Sequence, residues 1–167
     1  MKAQLWVLAI VMTLSAMLAS RTAYAATSEE AEIRAAVERF DAAFNAHKTD
    51  DFLALYSTDA DSIYFEEVLP LQISGRDAFR KYVDTIFTQT LNLHQVTTVE
   101  KVIAEGDLAA AVCMVRASWT EKSGNISQVG RFTMIFEKLD GKWLIWHEHF
   151  SVPYDPATSK AVFDAKP

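Results

Sequence analysis

The second half of the chain contains four long extended runs joined by tight turns, and this pattern constrains the fold more than any other feature. The runs cover about 93–104, 108–120, 126–138 and 142–152. Turn residues separate them at 106–107, 123–125 and 140–141, and the last of these, Asp140-Gly141, is the strongest short signal for a β-hairpin. The sequence therefore predicts four long antiparallel strands in meander order.

Helical patterns precede these strands. The first, which opens with the capping-box spacing of Thr27 and Glu30, carries an apolar stripe from Ile33 to about residue 46. A short second helix is predicted near 52–56 and a third near 76–87, with a brief strand, "DSIYFEEV", between them. Three helices followed by four long strands predict an α+β domain, in which a cone-shaped, curved antiparallel sheet wraps around the helices.

The N-terminal residues 1–25 have the features of a cleaved secretory signal. Lys2 precedes an apolar run at 5–19, and Ala23-Tyr24-Ala25 has the small-x-small pattern of a cleavage site. The run is shorter than the roughly 20 residues that a membrane-spanning helix needs. We therefore expect cleavage before Ala26 and export to the periplasm or beyond. A domain at 26–153, a tail at 154–167 and no membrane contact of the mature chain are also expected.

The charge of the mature chain excludes one class of partner. Without Lys2 and Arg21 it has 14 basic and 22 acidic side chains, hence a formal charge of −8. Binding to nucleic acid needs a basic face, so no nucleic-acid partner is predicted. Cys113 is the only cysteine of the 167 residues and cannot form an internal disulfide. No cofactor is predicted.

The last extended run contains "WLIWHEHF", with two histidines one residue apart. A period of two along a strand places Trp143, Ile145, His147 and His149 on one face, and Leu144, Trp146, Glu148 and Phe150 on the other. We expect the first face to line a pocket at the wide end of the cone. Apolar residues on the second face would need cover, which predicts a homodimer through the sheet.

Metal binding is the first chemistry that two histidines at this spacing suggest. A zinc site needs at least one further ligand, and the candidates in the sequence are His94, Glu66 and Glu67. No local motif supplies that third ligand, so no metal site is predicted. An acid-base or hydrogen-bonding role fits His147 and His149 better, because imidazole titrates near neutral pH.

Charged residues inside apolar runs are the other candidates. Arg116 would be costly in a central strand unless it meets a carboxylate or an anionic ligand; a salt bridge to Glu66 or Glu67 is the structural alternative. Arg131 resembles it but lies nearer a strand end. One of the two glutamates must face inward if the short strand alternates, and an inward glutamate with a raised pKa would be a general base.

Three segments, "LYSTDADSIYF", "ISGRDAFRKYVDTIF" and "DGKWLIWHEHFS", resemble the nuclear-transport-factor-2-like superfamily, and most closely its SnoaL-like and polyketide-cyclase-like members. The resemblance covers about 27–153. The last segment is similar to the final strand of the calcium/calmodulin-dependent protein kinase II association domain. That likeness implies a pocket for a small anionic molecule, lined by His94 and Arg116 and, if the register shifts, by Arg131, and assembly through the sheet.

The ketosteroid isomerases of this superfamily provide a test of an enzymatic role. Their three catalytic positions fall here on Phe40, on Gly130 or Arg131, and on Tyr64 or Glu66. At most one of the three groups is kept, which argues against steroid isomerisation by that mechanism.

These inferences leave two functions open. One is an exported domain that binds a small polar or anionic-apolar molecule in a pocket floored by His147 and His149 and edged by His94, Arg116 and Glu66. Tyr64, Arg131 and Trp143 are further candidate ligand-binding residues. The other is an isomerase-like or cyclase-like enzyme that uses Glu66 or His147 for acid-base catalysis in the same cavity.

Overall fold

The computed structural model describes residues 28–165. Residues 28–45 are helical and form α1, which is followed by α2 (Thr49–Leu53) and, after a short strand pair, by α3 (Arg76–Gln89). The predicted signal segment 1–25, its cleavage site and Thr27 lie outside the described residues, so those expectations stay predictions. Among the helices of the described part, none is long and apolar enough to cross a membrane.

A six-stranded curved sheet forms the other layer. Its strands are β1 (Ile63–Phe65), β2 (Ile73–Ser74), β3 (Leu91–Glu105), β4 (Leu108–Glu121), β5 (Gly124–Leu139) and β6 (Lys142–Ser151), in the spatial order β2-β1-β6-β5-β4-β3. Strands β3 to β6 form the predicted antiparallel meander, and the predicted α+β class is confirmed. Strand β1 pairs in parallel with β6, so the complete sheet is mixed. The tail forms a small hairpin of β7 (Tyr154–Asp155) and β8 (Lys160–Ala161).

The helices cover one face of the sheet, which we call the inner face; the opposite side is the outer face. The core between the two layers contains Ile33, Val37 and Phe40 from α1, Phe79 and Val83 from α3, and Val115, Met134 and Phe136 from the sheet.

A two-residue turn joins β5 to β6 and sets the register at the start of this hairpin. Asp140 and Gly141 both have positive φ, at 50° and 74°, as a two-residue hairpin turn with matching twist requires.

A β-bulge in β6 changes the predicted alternation. Phe136 pairs with Ile145 but Ile135 pairs with His147, so Trp146 is an extra residue on this strand. An extra residue moves every later side chain to the opposite face. Trp143 and Ile145 face inward as predicted.

Beyond the bulge the inward residues are Glu148, which is buried, and Phe150, which is half-buried. His147 and His149 lie on the outer side. The prediction that all four residues Trp143, Ile145, His147 and His149 share one face is therefore wrong, as is the outward placement of Glu148 and Phe150.

Candidate functional site

A cavity of about 210 Å³ lies between the helices and the inner face of the sheet. Nine of its twenty lining residues are aromatic, and the described lining contains no lysine, arginine or histidine. The polar part of the lining consists of Glu66, Glu67, Glu148, Gln95, Gln128 and Thr90. The cavity has the volume that about seven water molecules occupy in liquid water. This size suits a ligand with one ring rather than a large molecule.

Glu148 is the most deeply buried acid of the cavity, with 3% of its surface exposed. The bulge at Trp146 turns it inward, and the hydroxyl of Tyr56, just beyond α2, donates a hydrogen bond of 2.6 Å to its Oε2. Burial raises the pKa of Glu148 to about 7, although hydrogen bonds from Glu66 and Tyr56 lower it in part. Glu148 therefore changes its charge near neutral pH.

Glu66 follows β1, and the parallel pairing of β1 with β6 brings it to Glu148. Tyr64 is in register with Glu148, and Phe65 with His149, so the next residue along β1 reaches the same region of β6. The Glu66 carboxyl hydrogen-bonds Glu148, and the hydroxyl of Tyr82 from α3 donates to it. Burial and the neighbouring charge of Glu148 raise the pKa of Glu66 well above its usual value.

The two carboxyl groups form one acid-base unit. Glu66 is the member that holds a proton at neutral pH and donates it to the Glu148 carboxylate. Two carboxyl groups whose surroundings push their pKa values apart are a recurring arrangement for a paired acid and base. The pair can therefore accept a proton at Glu148 and offer one at Glu66.

A third carboxyl lies beside this pair. Burial raises the pKa of Glu67, and a hydrogen bond from the side chain of Gln128 on β5 opposes that rise. Gln128 is itself buried, with 3% of its surface exposed. The cavity thus combines apolar walls with a cluster of acids.

Glu66 is the one predicted catalytic residue that lines the cavity; its catalytic role stays a prediction. His147 is half-buried on the outer side of the sheet, where its Nδ1 lies 2.6 Å from the carbonyl oxygen of Ile63. His149 is exposed, and both imidazoles meet the ring of Phe65 edge-on, with centroids 5.3 and 5.7 Å from it. The predicted histidine floor of the pocket is therefore wrong, because the bulge turns both side chains away.

The predicted ligand-binding residues are also dispersed. His94, Arg116 and Arg131 are exposed on the outer face, and Arg131 donates to the carbonyl oxygen of Val152 at 3.2 Å. Tyr64 is fully buried and stacks on Phe79, with ring centroids 4.0 Å apart. Trp143 is buried and donates to Glu32 at 2.8 Å. None of these five side chains lines the cavity.

The sequence interpretation missed Glu148, Tyr56, Tyr82 and Gln128 as site residues. A signal for Glu148 was present, since an acid within an otherwise apolar and aromatic strand is costly unless it has partners. Within residues 28–165, no group of three or more His, Cys, Asp or Glu side chains is arranged to hold a metal ion.

Comparison with known proteins agrees with this architecture. Residues 33–155 match the model of the SnoaL-like domain family. A nuclear-transport-factor-2-like protein of unknown function from Pseudomonas putida is 30% identical, with 84% of this chain and 98% of that chain covered and a TM-score of 0.73. No curated protein matches the chain.

Two more distant structures share the fold. A candidate calcium/calmodulin-dependent protein kinase II association domain from Xanthomonas campestris is 23% identical over 80% of this chain and 88% of that chain, with a TM-score of 0.64. A candidate dehydratase of the same superfamily from Streptomyces avermitilis is 19% identical over 75% and 97%, with a TM-score of 0.68. Both likenesses concern the fold alone.

Proposed function

The chain belongs to the SnoaL-like domain family, with a nuclear-transport-factor-2-like fold, and on this premise we propose that it binds a small uncharged carbonyl compound and transfers a proton on it. The observation that carries the proposal is the Glu66–Glu148 carboxyl pair inside an apolar cavity. The pKa of Glu148, about 7, is near the value at which a general base works best at neutral pH.

The lining supports an uncharged ligand over an anion. An anion would meet three carboxyl groups and no positively charged residue of the described lining. The two side chains expected to hold an anion, His94 and Arg116, are exposed on the outer face. The aromatic walls favour an apolar skeleton, because its transfer from water into the cavity is favourable.

The chemistry proceeds through an enol. Glu148 takes a proton from the carbon next to the carbonyl group, the C–H electron pair forms the C=C bond of the enol, and the carbonyl oxygen receives the proton that Glu66 holds. In a β,γ-unsaturated ketone, Glu148 returns its proton to the γ-carbon, the C=C bond moves into conjugation, and the enol O–H proton goes back to Glu66 as the carbonyl group re-forms, which is an isomerisation. In a β-hydroxyketone, the hydroxyl group leaves the β-carbon as water with the proton that Glu148 took, a C=C bond forms between the α- and β-carbons, and the enol O–H proton goes back to Glu66, which is a dehydration. A protonated acid and an ionised base in one apolar site are what both reactions need.

Hydrogen exchange provides the test. We expect the protein to accelerate the exchange of the α-protons of cyclohexanone into D₂O at neutral pH, followed by proton NMR. Glu148→Gln and Glu66→Gln should each lower the catalysed rate by about 100-fold, the lower end of the usual range for acid-base groups. Glu105→Gln, at an exposed position of β3, is the matched control and should keep the full rate.

Binding without catalysis is the second candidate function, favoured by the same largely apolar lining. Cyclohexanone that binds in the cavity but exchanges its protons no faster than in the Glu148→Gln variant would contradict the catalytic proposal and support a binding domain.

We also propose that the protein is exported from the cytoplasm. The N-terminal pattern supports cleavage before Ala26. Intact-mass measurement of the protein recovered from the periplasmic or culture fraction should give a chain that begins at Ala26, and recovery of the uncleaved chain from the cytoplasm alone would contradict it.

A further inference from the structure

Two buried glutamines lie in one row across the inner face of the sheet. Gln95 of β3 is in register with Ala117 of β4, which is in register with Gln128 of β5. All three line the cavity, and the two glutamines expose only 8% and 3% of their surfaces. Adjacent strands are about 4.8 Å apart, so the two backbone positions are about 10 Å apart with only a methyl side chain between them.

The side-chain amide of Gln95 has a fixed orientation. Its Nε2 donates to Asp41 Oδ1 at 3.1 Å and to Thr97 Oγ1 at 3.3 Å. Because the amide nitrogen is the donor in both contacts, it faces Asp41 and Thr97, and the amide oxygen points elsewhere. Within residues 28–165, Gln95 Oε1 receives no hydrogen bond.

Gln128 is arranged in the same way. Its amide nitrogen donates to the Glu67 carboxyl group, so its oxygen is turned away from that group. The row therefore presents two amide oxygens as acceptors beside a small Ala117, and their amide nitrogens are already engaged.

Both glutamines line the cavity, and an amide oxygen that faces a cavity is normally paired with a water molecule or a ligand. A hydroxyl group is small enough for the space above Ala117 and brings the donor that both oxygens lack. An acceptor-only group, such as a second carbonyl, would gain nothing there.

We propose that Gln95, Ala117 and Gln128 form a second polar subsite, which selects ligands that carry a hydroxyl group on the part of the ring remote from the carbonyl. This inference rests on the proposed function, since it takes the carbonyl group to lie at the Glu66–Glu148 pair. It narrows the ligand class from small cyclic ketones to small hydroxyketones.

A pair of compounds that differ by one hydroxyl group tests the subsite. The dissociation constants of cyclohexanone and 4-hydroxycyclohexanone are measured by NMR titration, with the indole N–H of Trp119 as a reporter in the cavity wall. We expect the wild type to bind the hydroxyketone about fivefold more tightly, which is typical of one net hydrogen bond.

Substitution of the row should remove this preference. Gln95→Met keeps the side-chain length and should reduce the hydroxyl preference, which is the ratio of the two dissociation constants, to less than twofold. Gln128→Met is a second, independent variant in case loss of the Asp41 contact unfolds the first. Gln72→Met, at an exposed position just before β2, is the control and should keep the fivefold preference.

The outcomes separate the two proposals. Equal wild-type affinity for both ketones, or a preference that survives in both glutamine variants, overturns the subsite. A hydroxyl preference without catalysed proton exchange supports the subsite and overturns the catalytic role alone. Failure of both ketones to bind overturns both.

Discussion

Tyr56 and Glu148 are 92 residues apart in the chain, yet the Tyr56 hydroxyl lies 2.6 Å from Glu148 Oε2 in the protein interior. The phenol donates to the ionised form of the acid and so lowers the pKa of Glu148, while burial raises it. The hydrogen bond from Glu66 also lowers this pKa, and the balance leaves Glu148 titrating near neutral pH. Tyr56 is thus a positioning residue that sets the strength of the base.

Removal of the Tyr56 hydroxyl should make Glu148 harder to ionise. In Tyr56→Phe we expect the pKa of Glu148 to rise above about 7, by about one unit, which corresponds to the loss of one hydrogen bond to a charged group. Carbon-13 NMR of the glutamate carboxyls measures this shift directly, and the pH profile of proton exchange should move by the same amount. Tyr154→Phe, at an exposed tyrosine, is the control; an unchanged carboxyl titration would contradict the assigned role.

The raised pKa of Glu148 also predicts that stability falls as pH rises. An acid whose pKa is higher in the folded state than its ordinary value of 4.5 binds the proton better when folded. The folded state is therefore favoured at about pH 4.5 and below, and this contribution is lost as pH rises through about 7. The difference is on the order of 3 kcal/mol for Glu148 alone, and the raised pKa of Glu66 acts in the same direction.

Urea unfolding at pH 5 and pH 8 measures this dependence. Glu148→Gln should reduce the difference in stability between the two pH values, since the amide does not titrate and the contribution of Glu66 remains, whereas the exposed Glu105→Gln should keep the difference of the wild type. A wild type that is more stable at pH 8 than at pH 5 would contradict the assignment.

The fold was predictable because its signals are local. Turn residues such as Asp140-Gly141 mark each hairpin, and the apolar stripes of the helices show their buried faces. The site was less predictable, because one extra residue at Trp146 reverses the side-chain directions of everything after it. The bulge depends on the pairing of β6 with Ile135 and Phe136 of the neighbouring strand. The alternation of residues along β6 itself does not indicate it. The partner of Glu148, Tyr56, comes from a distant segment and carries no local signal at all.

Because the bulge reverses the alternation in β6, substitutions at neighbouring residues of this strand should have different effects on ligand binding. His147→Ala and His149→Ala should leave the dissociation constant of cyclohexanone within twofold of the wild type, because both imidazoles lie outside the cavity. Phe150→Ala removes a cavity-lining ring and should weaken binding more than fivefold, since burial of apolar surface supplies the affinity. If the histidine variants bound cyclohexanone more weakly and Phe150→Ala bound it as tightly as the wild type, the side chains of β6 would alternate without the bulge, and the assignment of the bulge would be wrong. The same NMR titration measures all three.

Gly130 is the residue that makes room for Phe150. A Cβ at this position would lie 2.3 Å from Cε2 and Cζ of the Phe150 ring. Gly130→Ala should therefore displace the ring and lower the free energy of unfolding by about 1–3 kcal/mol, as overpacking usually does. In the double variant Gly130→Ala/Phe150→Leu the smaller side chain should recover most of this loss. Urea unfolding of the four proteins gives the coupling energy, and strictly additive effects would show that the two residues do not interact.

The predicted homodimer would form through the outer face of the sheet. Its strands β3 and β4 expose the apolar residues Val96, Ile103, Leu108 and Val112, each with 46% or more of its surface accessible. Exposed apolar residues on one face of a sheet are commonly covered by a partner.

We expect the mature protein to be a dimer at micromolar concentration, measured by sedimentation velocity or light scattering. Val112→Glu places a charge on this face, and its burial against a second copy would be costly, so this variant should sediment as a monomer with unchanged secondary structure. Thr88→Glu, at an exposed position of α3, adds the same charge away from the sheet and should remain a dimer. A monomeric wild type, or a Val112→Glu variant that dimerises as tightly as the control, would rule out assembly through this face.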